Sequence, residues 1–357
     1  MDKVVEKPVR LGQSDVWLSV PLGIGTMQWG TTWLDSKVNR GGNMSDAQVT
    51  QVFAKLVESK TAGFFDSAEG YGGGTSELRI HQVMAAVNPP PGSVILATKF
   101  MPLLWRWTEE SFMRSLRGSL QRLGVQVCDI YFLHTPVHPL PLEFWVECAA
   151  KAANAGLIKA IGISNCNAEQ VRRACSAAAK HGQKISANQI LFSLLDYNAP
   201  DVQEVEKTCK ELGVTLIAYS PVGQGLLTEG LDVEKLKSIR VARMKGLTLE
   251  DLSLLRSKIS DIASTRKKTM AQVCLNWVIC HGAIPLVGTR TVKHVEDNAG
   301  CLGWRLTPEE VKQLDSVALG MSTLKKPKWK RMFFVGLIST LILTYRVCIT
   351  IESLLGH

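Results

Sequence analysis

No apolar run opens the chain. Met1-Asp2-Lys3-Val4-Val5-Glu6-Lys7 is charged throughout, which reads as neither a secretory signal nor a transit peptide. The nine cysteines include no C-x-x-C pair, and Cys274 and Cys280 stand too isolated for a zinc site. No bound metal is expected, and the thiols read as reduced and buried, in a reducing compartment. Acidic residues nearly vanish near the end of the sequence. From Thr323 onward Glu352 stands alone against Lys325, Lys326, Lys328, Lys330, Arg331 and Arg346. That segment carries +5 of the formal +9. The charge is therefore local, and a general nucleic-acid role is excluded as an expectation. What remains is ordinary globular composition, 357 residues with 46% hydrophobic and 20% charged, enough for one large domain.

Short apolar strands alternate with helical patterns over most of this length. Val9–Leu11 and Val16–Leu18 flank a turn at Gly12-Gln13-Ser14-Asp15 and predict an opening hairpin. Strands are then expected near positions 22, 64, 94, 128, 157, 186, 214 and 284, separated by helices such as 46–61, 109–123, 142–155, 168–181 and 201–212, with 248–264 and 270–281 before the last strand. Eight alternations favour a closed (β/α)₈ TIM barrel. The rival doubly wound sheet requires G-x-G-x-x-G after its first strand. Here Gly23-Ile24-Gly25 runs into Thr26-Met27-Gln28, without the third glycine.

Barrel enzymes place their reacting groups where strands end. Asp66, Lys99 and His134 close three successive strands, and Tyr71 lies five residues beyond Asp66. Singly, each is an ordinary strand-end polar residue. Together they form a set suited to carbonyl reduction. Hydride attack on a carbonyl builds negative charge on oxygen, which must receive a proton. A phenol can give it, although its ordinary pKa near 10 makes it a weak acid. A neighbouring ammonium stabilises the phenolate and lowers that pKa. Lys99 is the expected ammonium, Asp66 its anchor, and His134 the group that positions the carbonyl oxygen.

Phe65-Asp66-Ser67-Ala68-Glu69-Gly70-Tyr71-Gly72 resembles the signature of the aldo-keto reductases. Ala97-Thr98-Lys99-Phe100, Leu133-His134, Gly162-Ile163-Ser164-Asn165, Asn188-Gln189, Tyr219-Ser220-Pro221-Val222 and Pro285-Leu286-Val287-Gly288-Thr289-Arg290 follow in the same order. The resemblance spans about Leu11 to Leu319, and Trp105-Arg106-Trp107 is most similar to the plant and algal branch. It implies a nicotinamide cofactor, NADPH, lying across the barrel mouth beside a small carbonyl substrate. By resemblance, Ser164, Asn165 and Gln189 bind the carboxamide, Tyr219 stacks on the nicotinamide, and Thr26 and Met27 line the floor. The backbone of Ser220, Pro221, Val222, Gly223, Gly225, Leu226 and Leu227 wraps the pyrophosphate. Gly288, Thr289 and Arg290 hold the 2′-phosphate, and His294, Asp297 and Asn298 meet the adenine. Glu229-Gly230 stands where the family often has Gly-Lys, and Asp297 and His294 also depart from its usual residues. Arg240 and Arg243 are candidates to compensate. Trp29, Trp33, Trp105 and Trp107 are candidates for an apolar pocket or for packing.

The sequence divides into the barrel, 1–322, a basic linker, 323–331, an apolar segment, 332–351, and a short end, 352–357. Twenty helical residues span about 30 Å, the thickness of a bilayer core. Trp329 and Tyr345 sit where interfacial aromatics sit, and the basic run fits a cytosolic flank. A single transmembrane helix acting as a C-terminal anchor in membrane lipid, with the barrel in the cytosol, is therefore expected. A helix docked on the barrel or lying in the interface is the alternative. Two functions fit: a membrane-anchored NADPH-dependent reductase, or an NADP(H)-binding auxiliary subunit serving a membrane-protein partner, similar to potassium-channel β subunits.

Overall fold

A computed structural model describes residues 5–30, 44–231 and 248–321. Two short strands open it, β1 (Val9–Arg10) and β2 (Trp17–Leu18). Eight parallel strands then close into a barrel: β3 (Gly23–Gly25), β4 (Phe64–Asp66), β5 (Leu96–Phe100), β6 (Cys128–Leu133), β7 (Ile158–Ser164), β8 (Ile185–Leu191), β9 (Thr215–Tyr219) and β10 (Ile284–Gly288). Neighbours pair in sequence order, and β10 closes the ring onto β3. The expected (β/α)₈ barrel is the observed architecture.

Helices pack outside it. They are α1 (Asp46–Ser59), α2 (Thr75–Val87), α3 (Glu109–Leu123), α4 (Leu142–Asn154), α5 (Ala168–Ala179), α6 (Pro200–Leu212), α7 (Leu249–Arg266), α8 (Met270–Cys280), α9 (Val292–Ala299) and α10 (Pro308–Gly320). Their starts follow from capping chemistry. Ser45, Asn167, Thr269 and Thr307 each accept a hydrogen bond from the backbone three residues on, while Gln48, Gln170, Gln272 and Glu310 return the bond. These reciprocal pairs satisfy backbone donors that the first helical turn leaves open.

Barrel interior and shell have separate cores. Phe64, Ala97, Ile130, Phe132, Ala160, Ala187, Ile217 and Ile284 fill the interior. Leu11, Val16 and Leu18 of the hairpin pack into the same cluster, and the Gly12 N–H donates to Thr215 Oγ1 at 2.6 Å. The hairpin therefore plugs one end. The other end, where the strands finish, is left for chemistry.

One helix, α2, carries no sequence signal for its start. Gly72, Gly73 and Gly74 precede it with φ of 61°, 63° and 97°. Its N-cap is Gly74, with no side chain to cap, and Glu77 is fully buried on the face where an apolar residue is expected. The short helix α9 also lies beyond the elements expected from sequence.

Among the described residues no helix is long and apolar enough to cross a membrane. Trp33, Arg240, Arg243, the basic linker and the apolar segment 332–351 lie outside the described residues.

Candidate active site

β4 and β5 are adjacent parallel strands, and their ends deliver Asp66 and Lys99 side by side. Lys99 Nζ donates to Asp66 Oδ2 at 2.5 Å, to the Ser67 carbonyl at 2.8 Å and to the Tyr71 hydroxyl at 3.2 Å. Three acceptors match the three protons of an ammonium. Asp66 Oδ1 accepts from Gln189 Nε2 at 3.1 Å. The carboxylate is thus shared between Lys99 and a residue of β8 across the barrel. Tyr71 stands at the start of a tight turn, 71–74. The glycines bend the chain sharply after it, because positive φ is accessible to them without a Cβ penalty. The rings of Tyr71 and His134 meet edge to face, with centroids 5.8 Å apart. All four residues expected from sequence converge.

Electrostatics assigns their states. Burial works against the Lys99 ammonium, but Asp66 and Tyr71 together outweigh it and hold the lysine above its ordinary pKa. Burial pushes Asp66 upward while Lys99 and Gln189 pull against it. The proton of the pair resides on lysine. For Tyr71 the sequence expectation needs correction. Burial raises its pKa and the Asp66 charge adds to that, so Lys99 reduces the rise without reversing it. The phenol rests fully protonated, as a proton donor must. An ammonium at this distance would stabilise a phenolate once the proton had left.

Burial, then repulsion from Lys99, drive His134 down to about 3. It is neutral at any working pH. Its Nδ1 is buried with no partner among the described residues. An unpaired buried donor is disfavoured, so the proton is assigned to Nε2, which becomes the ring's one donor.

A nicotinamide dinucleotide would lie along the remaining strand ends. Ser164 Oγ donates to the Gln189 carbonyl at 2.8 Å. Asn165, with φ of 59°, donates to the His134 carbonyl at 3.2 Å and accepts from the Tyr219 hydroxyl at 2.9 Å. Asn165 and Gln189 thus bring amide groups together beside the tetrad, a donor and acceptor set that suits a carboxamide. After β9, Ser220, Gly223, Gln224 and Gly225 take φ of 54°, 60°, 57° and 90°. Left-handed residues in close succession form an anion-binding backbone concavity. Pro221, Leu226 and Leu227 are buried, and Val222 packs against the core, so these four offer backbone alone. Thr289 is buried and accepts from Asn298 Nδ2 at 3.3 Å. Arg290 and Gly288 adjoin it at the start of α9, where His294 Nδ1 faces the Arg290 N–H at 3.4 Å. Asp297 gives its backbone carbonyl to Gln272. The set fits the cofactor that the sequence implies.

The other residues named from sequence divide between buried and exposed positions. Thr26 is fully buried, and its hydroxyl bonds the Asp66 carbonyl and Ser76; Met27 is 49% exposed beside it. Trp29 is a core residue. The Glu229 carboxylate accepts the Met270 N–H at the start of α8. Sequence reading missed Arg256, whose guanidinium donates to the Leu226 and Thr228 carbonyls at 2.6 and 2.8 Å and holds the loop after β9 in place. It also missed the partnership of Glu69 and Arg106, at 2.5 Å. In neither case does a local spacing carry the signal.

Comparison with known proteins agrees with this geometry. The profile of the aldo/keto reductase family matches residues 21–319. The chain is 33% identical over 331 residues to the chloroplastic pyridoxal reductase of Arabidopsis thaliana, covering 87% of this chain and 89% of that one. It is 31% identical to an aldo-keto reductase of Strobilurus tenacellus, over 74% of this chain and 80% of the other. A thermostable aldo-keto reductase crystallised with the inhibitor epalrestat superposes with a TM-score of 0.67 at 25% identity, covering 87% of this chain and 99% of that one. An aldo-keto reductase from Klebsiella pneumoniae, crystallised with NADPH, superposes equally well at 0.67 and 23% identity, covering 90% and 98%, which speaks to fold alone. With the profile spanning most of the sequence and the tetrad assembled at the barrel mouth, the chain belongs to the aldo/keto reductase family.

Proposed function

We propose that this protein reduces aldehydes or ketones to alcohols with NADPH, using Tyr71 as the proton donor. The observation that carries the reading is the Lys99 ammonium, 3.2 Å from the Tyr71 hydroxyl and fixed by Asp66 at 2.5 Å. When bound, the nicotinamide supplies a hydride. The neutral imidazole of His134 would orient the carbonyl oxygen through Nε2–H. Tyr71 would pass its proton to that oxygen, and Lys99 would stabilise the phenolate left behind. Ser164, Asn165 and Gln189 would hold the carboxamide, Tyr219 would pack on the ring, and the loop 220–227 would take the pyrophosphate. The segment 288–290 would grip the 2′-phosphate, and His294, Asp297 and Asn298 would meet the adenine.

The intact tetrad supports turnover over a purely cofactor-holding role as an auxiliary subunit of a membrane protein. Pyridoxal heads the substrate panel, since a relative that is 33% identical bears its name. The test is NADPH consumption by purified protein against pyridoxal and a panel of aldehydes and ketones. Stoichiometric alcohol formation is the expected result. NADPH binding without turnover of any carbonyl would favour the auxiliary role.

The apolar segment 332–351 and the basic run before it support a further part of the reading, a C-terminal membrane anchor with the barrel on the cytosolic side.

A further inference from the structure

The loop between β5 and α3 is bolted on both flanks. Arg106 forms a two-point pair with Glu69, Nη1 to Oε1 at 2.5 Å and Nη2 to Oε2 at 3.1 Å. Their side chains are only 12% and 10% exposed. The same guanidinium donates back to the Met101 carbonyl at 2.8 Å and to Ser115 Oγ at 3.2 Å. Glu69 also accepts the Met101 N–H at 2.6 Å and the Ser115 hydroxyl. On the other flank Trp107 meets the His138 ring edge to face, with centroids 5.2 Å apart. His138 is fixed in turn by the Leu140 N–H, 3.0 Å from Nδ1, and by contact with Trp145.

These anchors sit in the loops that carry the tetrad. Glu69 is two residues before Tyr71, and His138 is four after His134. The segment they pin presents Leu104, Trp105 and Trp107, exposed by 53%, 38% and 50%. Exposed apolar side chains gathered on one segment, unlike single ones, are the kind of surface that contacts a ligand or partner. Here they stand at the end of the barrel where the strands finish, on a loop whose Arg106 is already fully engaged.

We propose that Arg106, through its grip on Glu69, is a positioning residue that sets the Trp105–Trp107 segment against the Tyr71 loop and so selects carbonyl substrates with a flat aromatic body. The inference rests on the reductase reading above. A planar ring gains both apolar burial and ring contact against an indole, whereas a short aliphatic chain gains little. A bidentate guanidinium pair gives the directional hold that a lysine cannot reproduce.

The experiment compares kcat/KM for 2-naphthaldehyde and propanal in the full chain and its variants. The parent should favour the naphthaldehyde about tenfold or more, and Arg106→Ala should erase about a factor of ten of that preference, mainly through the KM of the aromatic substrate. Arg106→Lys should fall between the two. Trp107→Ala, a truncation at an exposed position, should erase the preference too and settles the matter if Arg106→Ala does not fold. Equal losses for both aldehydes, or a preference unchanged in Arg106→Ala or in Trp107→Ala, overturn the proposal while leaving the reductase reading intact. Failure of the parent to turn over either aldehyde overturns both.

Discussion

Asp66 and Lys99 meet at 2.5 Å where their side chains are 1% and 0% exposed. Removing one partner of such a pair strands the other as an uncompensated buried charge. Lys99→Met should therefore destabilise the fold by about 3–5 kcal/mol as well as stop turnover. The double variant Asp66→Asn/Lys99→Met should recover most of the stability and none of the activity. Urea unfolding midpoints and NADPH consumption separate the two effects. A stable but inactive Lys99→Met chain would show that the pair serves chemistry alone.

A second ion cluster, half-buried, makes stability depend on pH. His281 is 2.7 Å from Glu206 and 3.2 Å from Asp315. Burial opposes its charge, but the two carboxylates outweigh burial and raise its pKa to about 9. The folded value lies above the ordinary histidine value. Its contribution is therefore complete below about pH 6.5 and is lost as pH rises through about 9. The shift corresponds to roughly 3 kcal/mol. The stability gap between the parent and His281→Ala should be widest near pH 6 and should narrow by pH 10. A gap that does not vary with pH would show that packing against Trp277 and Tyr197 accounts for it.

Arg290 stands beside buried Thr289 at the start of α9. If it grips the 2′-phosphate, Arg290→Ala should weaken NADPH by about 1.5–3 kcal/mol and NADH far less. Fluorescence titration with both cofactors reads the difference. Equal losses would move the phosphate contact elsewhere, with Lys293 the nearest alternative.

The proposed anchor makes a prediction about fractionation. The full chain should stay with membranes after carbonate extraction, and a chain ending at residue 322 should not. Protease added to intact membranes should reach the barrel. A barrel that washes off with carbonate, or one protected from external protease, contradicts a cytosolic tail anchor.

How far the sequence reveals this site depends on whether a residue's role is set locally. Asp66, Lys99 and His134 were readable because each lies at a strand end or within one residue of it, and a parallel barrel gathers all its strand ends at one mouth. Helix α3 was readable up to its stop at Gly124, and its observed range, Glu109–Leu123, is the expected one; its cap, Thr108, shows only in the structure. Helix α2 was not, because glycine geometry starts it and a buried Glu77, paired with Arg122 at 2.7 Å, interrupts its apolar face. Glu69 and Arg106 lie 37 residues apart on two loops. No periodicity links such positions, so only the folded chain shows their contact. The sign of the Tyr71 shift was hidden for a similar reason, since it depends on burial that only the fold provides.

Tyr71 as proton donor is the central claim, and Tyr71→Phe tests it with the least disturbance, since only the hydroxyl near Lys99 Nζ is removed. NADPH affinity should be unchanged, while carbonyl reduction should fall about a hundredfold or more across the substrate panel. Turnover equal to that of the parent would remove Tyr71 from the chemistry and, with it, this account of the site.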